Sequence, residues 1–168
     1  MGSYLTHHLM AATIVVAAMS FLRPVPAFAQ VEEVRISVDG MTCNLCAAGL
    51  ERALRKLDAV ASVKVALADQ SALVTLKPGA GFDPDLFRTA VRDAGQQMRH
   101  LELRVKGFVQ RQEQTYRLQP GAGPSFAVGG RSAAKLQAYV GRVVRVRATV
   151  SSPPRSPLEL ELTDVVVQ

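Results

Sequence analysis

Gly40-Met41-Thr42-Cys43-Asn44-Leu45-Cys46 separates two stretches of different hydrophobic period, and that change of period sets the fold. Before it, Val34-Arg35-Ile36-Ser37-Val38 alternates apolar and polar residues, the signature of a half-buried strand. From Cys46 onward, Ala47, Leu50, Ala53, Leu54 and Leu57 share one face of a 3.6-residue helix. The period then returns to two: Val63, Val65 and Leu67 line a second strand, and Ala72, Val74 and Leu76 a third across Asp69-Gln70. Pro78-Gly79-Ala80-Gly81 reads as a loop, and Asp83-Pro84 as an N-cap followed by proline at the first helical position. Phe87, Ala90, Val91 and Ala94 form the buried stripe of a second helix, which Gly95 is placed to end in a left-handed conformation. A fourth strand should start near Gln97. The order β-α-β-β-α-β is the ferredoxin-like arrangement, an α+β domain expected over residues 30–102.

Residues 103–168 have a different texture. Glu102 to Val109 reads as a long strand shared between both units. Tyr116-Arg117-Leu118 and Ser125-Phe126-Ala127-Val128 follow as short strands. Ser132 to Val140 reads as a short helix presenting Ala133, Leu136 and Val140, closed by Gly141. Val144 to Val150 and Leu158 to Val167 complete five strands with one helix before the fourth, the pattern of a small OB-like β-barrel. The run Tyr139-Val140-Gly141-Arg142-Val143-Val144-Arg145-Val146 resembles small exported bacterial β-barrel domains, a likeness that names no ligand.

The N-terminus reads as a targeting segment. Residues 9–22 are uncharged and mostly apolar, and as a helix they would span about 21 Å, short of a bilayer core. Pro24 and Pro26 break the run, and Ala27-Phe28-Ala29 presents small residues to a signal peptidase. Residues 1–29 are therefore expected to be a signal peptide cleaved near Ala29. The product would be periplasmic or secreted and would not span a membrane. No Lys or Arg precedes the apolar run, which departs from the usual pattern.

Composition narrows the function further. Of 168 residues, 48% are hydrophobic and 20% charged, enough apolar material for cores and too much for a disordered chain. No Trp occurs and aromatics make up 5%, which argues against a stacking-rich nucleic-acid binder. Residues 31–106 hold 11 basic and 10 acidic side chains, and residues 107–168 hold 8 and 4, so the basic excess lies in the second unit. Arg145 and Arg147 should project from one strand face opposite Val144, Val146 and Ala148. Export counts against a nucleic-acid partner for that face, and none is expected. The second unit is expected to dock a partner protein or to position the first.

The two cysteines of the chain, Cys43 and Cys46, carry the chemistry. Two thiolates at this spacing can face one ion from an exposed turn, and the positive end of a helix lowers a thiol pKa. Soft ligands select soft ions: Cu(I) and Hg(II) first, with Zn(II) or Cd(II) behind. Structural zinc ordinarily takes four protein ligands, and no second cysteine pair exists here. A disulfide between the two, or a thioredoxin-like redox pair, are the competing readings. His100 and Met98 are left outside the site.

The motif Gly-Met-Thr-Cys-Asn-Leu-Cys in its strand-to-helix setting resembles the heavy-metal-associated (HMA) domain, over about residues 32–101. That family includes copper chaperones, N-terminal modules of metal-transporting P-type ATPases and the periplasmic mercury-binding protein. The resemblance implies that Cys43 and Cys46 are the metal ligands and that Met41 packs beneath their loop. The sequence departs from the family after Gly95. Many members place Tyr or Phe there and chaperones often place Lys nearby, whereas Gln96 and Gln97 follow here, without that help in shielding or neutralising the ion. The expected function is that of a non-enzymatic metal carrier. It would take one soft ion, Cu(I) first, and pass it by ligand exchange to a metal-transporting P-type ATPase or another copper-handling protein. Mercury scavenging and thiol oxidoreduction are the alternatives.

Overall fold

Four antiparallel strands in the order β2-β3-β1-β4 underlie the first half of the protein. The computed structural model describes residues 30–121, 123–150 and 159–167, so the expected signal peptide lies outside the described residues. Strand β1 spans Gln30–Asp39, β2 Val60–Ala66, β3 Ser71–Leu76 and β4 Gln97–Gln112. Helices α1, Asn44–Arg55, and α2, Pro84–Asp93, provide the crossovers, giving the ferredoxin-like α+β topology. Val34, Ile36 and Val38 of β1, Val74 of β3, Leu50 and Leu54 of α1, and Phe87 and Val91 of α2 are buried together.

The periods hold apart from four register shifts, two of which move a buried valine. Val31 and Val34 lie an odd number of positions apart yet are both buried, because the register shifts between Val31 and Glu33. A second shift between Val60 and Ser62 does the same for Val60 and Val63, so β2 begins earlier than alternation of Val63, Val65 and Leu67 implies.

The ends of α2 follow local chemistry. Asp83 is the N-cap, its Oδ1 accepting from the Asp85 amide at 2.9 Å, with Pro84 opening the helix. Gly95, at φ +77°, supplies the left-handed turn. The Gln96 amide then donates to the Val91 carbonyl at 3.1 Å, a Schellman closure that turns residue 96 back onto the helix. Asp83→Ala should cost about 1 kcal/mol of stability. A urea titration followed by circular dichroism would register it as a lower midpoint with an unchanged slope.

Strand β4 runs unbroken through the expected boundary at residues 102 and 103. Beyond it come β5, Thr115–Gln119; β6, Phe126–Val128; α3, Gly130–Leu136; β7, Val143–Val150; and β8, Glu159–Val167. A 3-10 turn over Gln137–Tyr139 extends α3, and Val140 is exposed rather than on its apolar face. Strand β5 pairs antiparallel with β4 and β6, β6 parallel with β8, β8 antiparallel with β7, and β7 antiparallel with β4. Val144, Val146, Ala148 and Val150 alternate inward on β7, packing with Leu118, Phe126 and Leu160. The Ser132 hydroxyl accepts from the Leu162 amide at 2.8 Å and fastens α3 to β8.

Contacts beyond β4 tie the two halves together. Arg145 donates to both carboxylate oxygens of Glu32, at 3.0 and 3.2 Å, and Arg104 pairs with Glu33 at 3.5 Å. Phe82, before α2, lies 5.4 Å from Phe87 and 6.4 Å from Phe126 between ring centres. The basic stripe expected on β7 is therefore partly spent on an intramolecular pair. Among the described residues, no helix is long and apolar enough to cross a membrane.

Candidate metal site

The loop from Gly40 to Cys46 leaves β1 and enters α1 on the surface. Gly40 takes φ +89°, which starts the turn. Met41 then folds inward to 1% exposure and anchors the loop in the core, as expected of a packing residue. Thr42, Cys43, Asn44 and Leu45 are exposed, and Cys46 is half-buried against the core. Leu45, at 75% exposure, stands between the cysteines as an apolar crown open to solvent.

Helix α1 begins two residues earlier than its hydrophobic stripe, because Cys43 serves as its N-cap. The Cys43 Sγ accepts from the Cys46 amide at 3.1 Å. No acidic side chain occupies the first turn of α1, while Arg52 and Arg55 sit in its last, so the positive helix end faces the cysteines uncompensated by a local carboxylate.

Cys43 and Cys46 are joined in a disulfide, with Cα atoms 5.1 Å apart. The sequence thus brings its two proposed ligands together, and the protein is here in its oxidised form. Reduction by two electrons and two protons gives two neighbouring thiols, a donor set suited to a single soft ion. Among the described residues, no group of three or more His, Cys, Asp and Glu side chains is placed to hold a metal. His100 is exposed on β4, and Met98 packs against the core.

One neighbour, Gln96, was placed near the site only by the resemblance, as a residue without the usual shielding ring, and not as a hydrogen-bond donor to it. Gln96, turned inward by Gly95, is 5% exposed, and its Nε2 donates to the Cys46 carbonyl at 3.0 Å. The sequence signal was positional only: residue 96 follows the glycine that closes α2.

Residues 35–97 match the model of the heavy-metal-associated domain. Over 67 residues the chain is 40% identical to the human copper-transporting ATPase 2, a match covering 40% of this chain. The matched region spans 4% of the length of that relative. Among solved structures, oxidised MerP from Ralstonia metallidurans CH34 is 30% identical, with 42% of this chain and 94% of that chain covered at a TM-score of 0.37. The N-terminal domain of a potential copper-translocating P-type ATPase from Bacillus subtilis, solved in the Cu(I)-loaded state, is also 30% identical; 42% and 86% are covered, at a TM-score of 0.37.

Proposed function

We propose that this protein is an exported metal carrier that binds one soft ion, Cu(I) foremost, through Cys43 and Cys46 and hands it on by ligand exchange. The observation that carries the reading is the placement of both sulfurs on an exposed turn at the uncompensated N-terminus of α1 within a heavy-metal-associated domain. Reduction of the disulfide gives the carrying form. A partner's thiolate attacks the bound ion to give a three-coordinate intermediate, and one of the two cysteines then leaves. Exposure of Cys43 and Leu45 leaves room for that approach. The acceptor is a metal-transporting P-type ATPase or another copper-handling protein, a reading supported by the kinship of residues 35–97 with copper-transporting ATPases. The apolar run at residues 9–22 and Ala27-Phe28-Ala29 support a periplasmic or secreted location.

Strands β4 to β8 are read as an OB-like barrel. The support is the cyclic order of their pairings, β4-β5-β6-β8-β7 and back to β4, with a parallel pair between β6 and β8. The barrel holds and orients the metal domain through β4 and through Arg145–Glu32. No reaction is assigned to either unit.

Anaerobic titration of the reduced protein against a chromophoric Cu(I) competitor, repeated with Hg(II) and Zn(II), tests this reading. Tight binding at one equivalent, with Cu(I) preferred over Zn(II), is expected. Strong Hg(II) binding beside weak Cu(I) binding would make the protein a mercury scavenger. The disulfide favours a second reading, thiol oxidoreductase. That reading requires fast reduction of a protein disulfide by the dithiol form and no competition for metal.

A further inference from the structure

Gln96 is a poor residue for its place in the fold. Its Oε1 is, among the described residues, the one buried side-chain oxygen or nitrogen without a hydrogen-bond partner. Such an atom has given up its hydrogen bonds to water with nothing in return, which destabilises the fold. The residue after a left-handed closing glycine in a Schellman motif is commonly apolar and packs on the last helical turn, so leucine or methionine would suit the exit of α2 better. Nor does the Nε2 bond answer a need of the backbone. The Cys46 carbonyl lies in the first turn of α1, where the helix supplies its own N–H donors. What the bond does is join the exit of α2 to the residue that bears one of the two sulfurs, 50 positions away in the chain.

We infer that Gln96 is a positioning residue of the cysteine pair. By holding the Cys46 carbonyl it fixes the turn of α1 that carries Cys46, while Cys43 is held by the Cys46 amide. The separation and direction of the two sulfurs are thereby set from beneath the loop, by an amide in a place that packing alone would fill with a hydrocarbon. For the loaded protein this rests on the metal-carrier reading. For the metal-free pair it does not, because the contact is present in the disulfide form. Loss of contacts that orient metal ligands typically lowers affinity by about tenfold to hundredfold.

Gln96→Met, made in the full chain, keeps the side chain's length and removes both polar atoms. Three measurements separate the possibilities: Cu(I) affinity of the reduced protein, its thermal midpoint without metal, and the metal-free equilibrium with glutathione. In that equilibrium two glutathione thiols give two electrons and two protons to the Cys43–Cys46 disulfide and leave joined as glutathione disulfide. We expect Cu(I) affinity to fall about tenfold. The glutathione equilibrium should move about fivefold toward the dithiol, the loss of one hydrogen bond from the oxidised pair. The thermal midpoint should hold or rise, since an unsatisfied acceptor is gone. An unchanged glutathione equilibrium would overturn the proposal whether or not the protein binds copper. A midpoint lowered by several degrees would also overturn it, by making Gln96 a packing residue; Gln96→Leu repeats the test if the methionine variant folds poorly. A wild-type chain that fails to bind Cu(I), beside a shifted glutathione equilibrium in Gln96→Met, would strike the metal reading alone and leave the positioning role standing.

Discussion

Replacing both cysteines with serine should abolish one-to-one Cu(I) binding, lowering affinity on the order of a thousandfold or more, about 4 kcal/mol. The size of the loss follows from the donor inventory. Among the described residues no His, Cys, Asp or Glu cluster stands ready to substitute, and a hydroxyl is a hard, protonated donor that a soft ion ignores. Serine is preferable to alanine because Cys43 is the N-cap of α1, and a hydroxyl is among the best acceptors for that position. The comparison belongs under reducing conditions. In the oxidised protein the variant also loses a short disulfide, worth about 2 kcal/mol on the chain-entropy account. Against the reduced wild type, the thermal midpoint should move little while competition for copper vanishes. Retention of one equivalent of tightly bound Cu(I) by Cys43→Ser/Cys46→Ser would remove these residues from the site.

How much of this was readable from the sequence depends on whether the signal was local. Asp83-Pro84 and Gly95 mark the ends of α2 by their own backbone and side-chain chemistry, and both act as read. The inward face of β7 was legible because alternation from Val144 to Val150 is unbroken. The register shifts, such as those at Val31 and Val60, were not, since a bulge leaves no mark beyond two apolar residues at the wrong spacing. The start of α1 was read late because cysteine is not a usual capping residue, and only its geometry reveals the sulfur as an acceptor. Arg145 looked like a solvated cation because its partner, Glu32, lies 113 positions away. Gln96 is the instructive case. The resemblance marked it only as lacking a shielding ring, yet the closure that Gly95 imposes turns it onto the Cys46 carbonyl.

Leu103→Ala should destabilise the protein by about 3 kcal/mol, and both halves should weaken together. Leu103 is 1% exposed on β4, opposite Val34 of β1 on one side and Ala148 of β7 on the other. Leu101, Leu103, Val105 and Val109 all point the same way along this strand, so one face of β4 supplies residues to the core of each half. Truncating a buried leucine to alanine removes its transfer free energy and leaves a cavity, typically a loss of about 2–5 kcal/mol. A position walled by two neighbouring strands cannot collapse easily, which places the cost well inside that range. For a chain of this size the melting temperature should fall by about 10 °C. Native-state hydrogen exchange distinguishes a shared core from two adjoining ones. The amides of Ile36 in β1 and Leu118 in β5 should lose protection by similar factors in Leu103→Ala. Leu50→Ala, confined to α1, provides the contrast. If Leu103→Ala lowered protection at Ile36 alone, the halves would be separate folding units that share a strand without sharing stability. Arg145–Glu32 and the Phe82–Phe126 contact would then be surface packing between them.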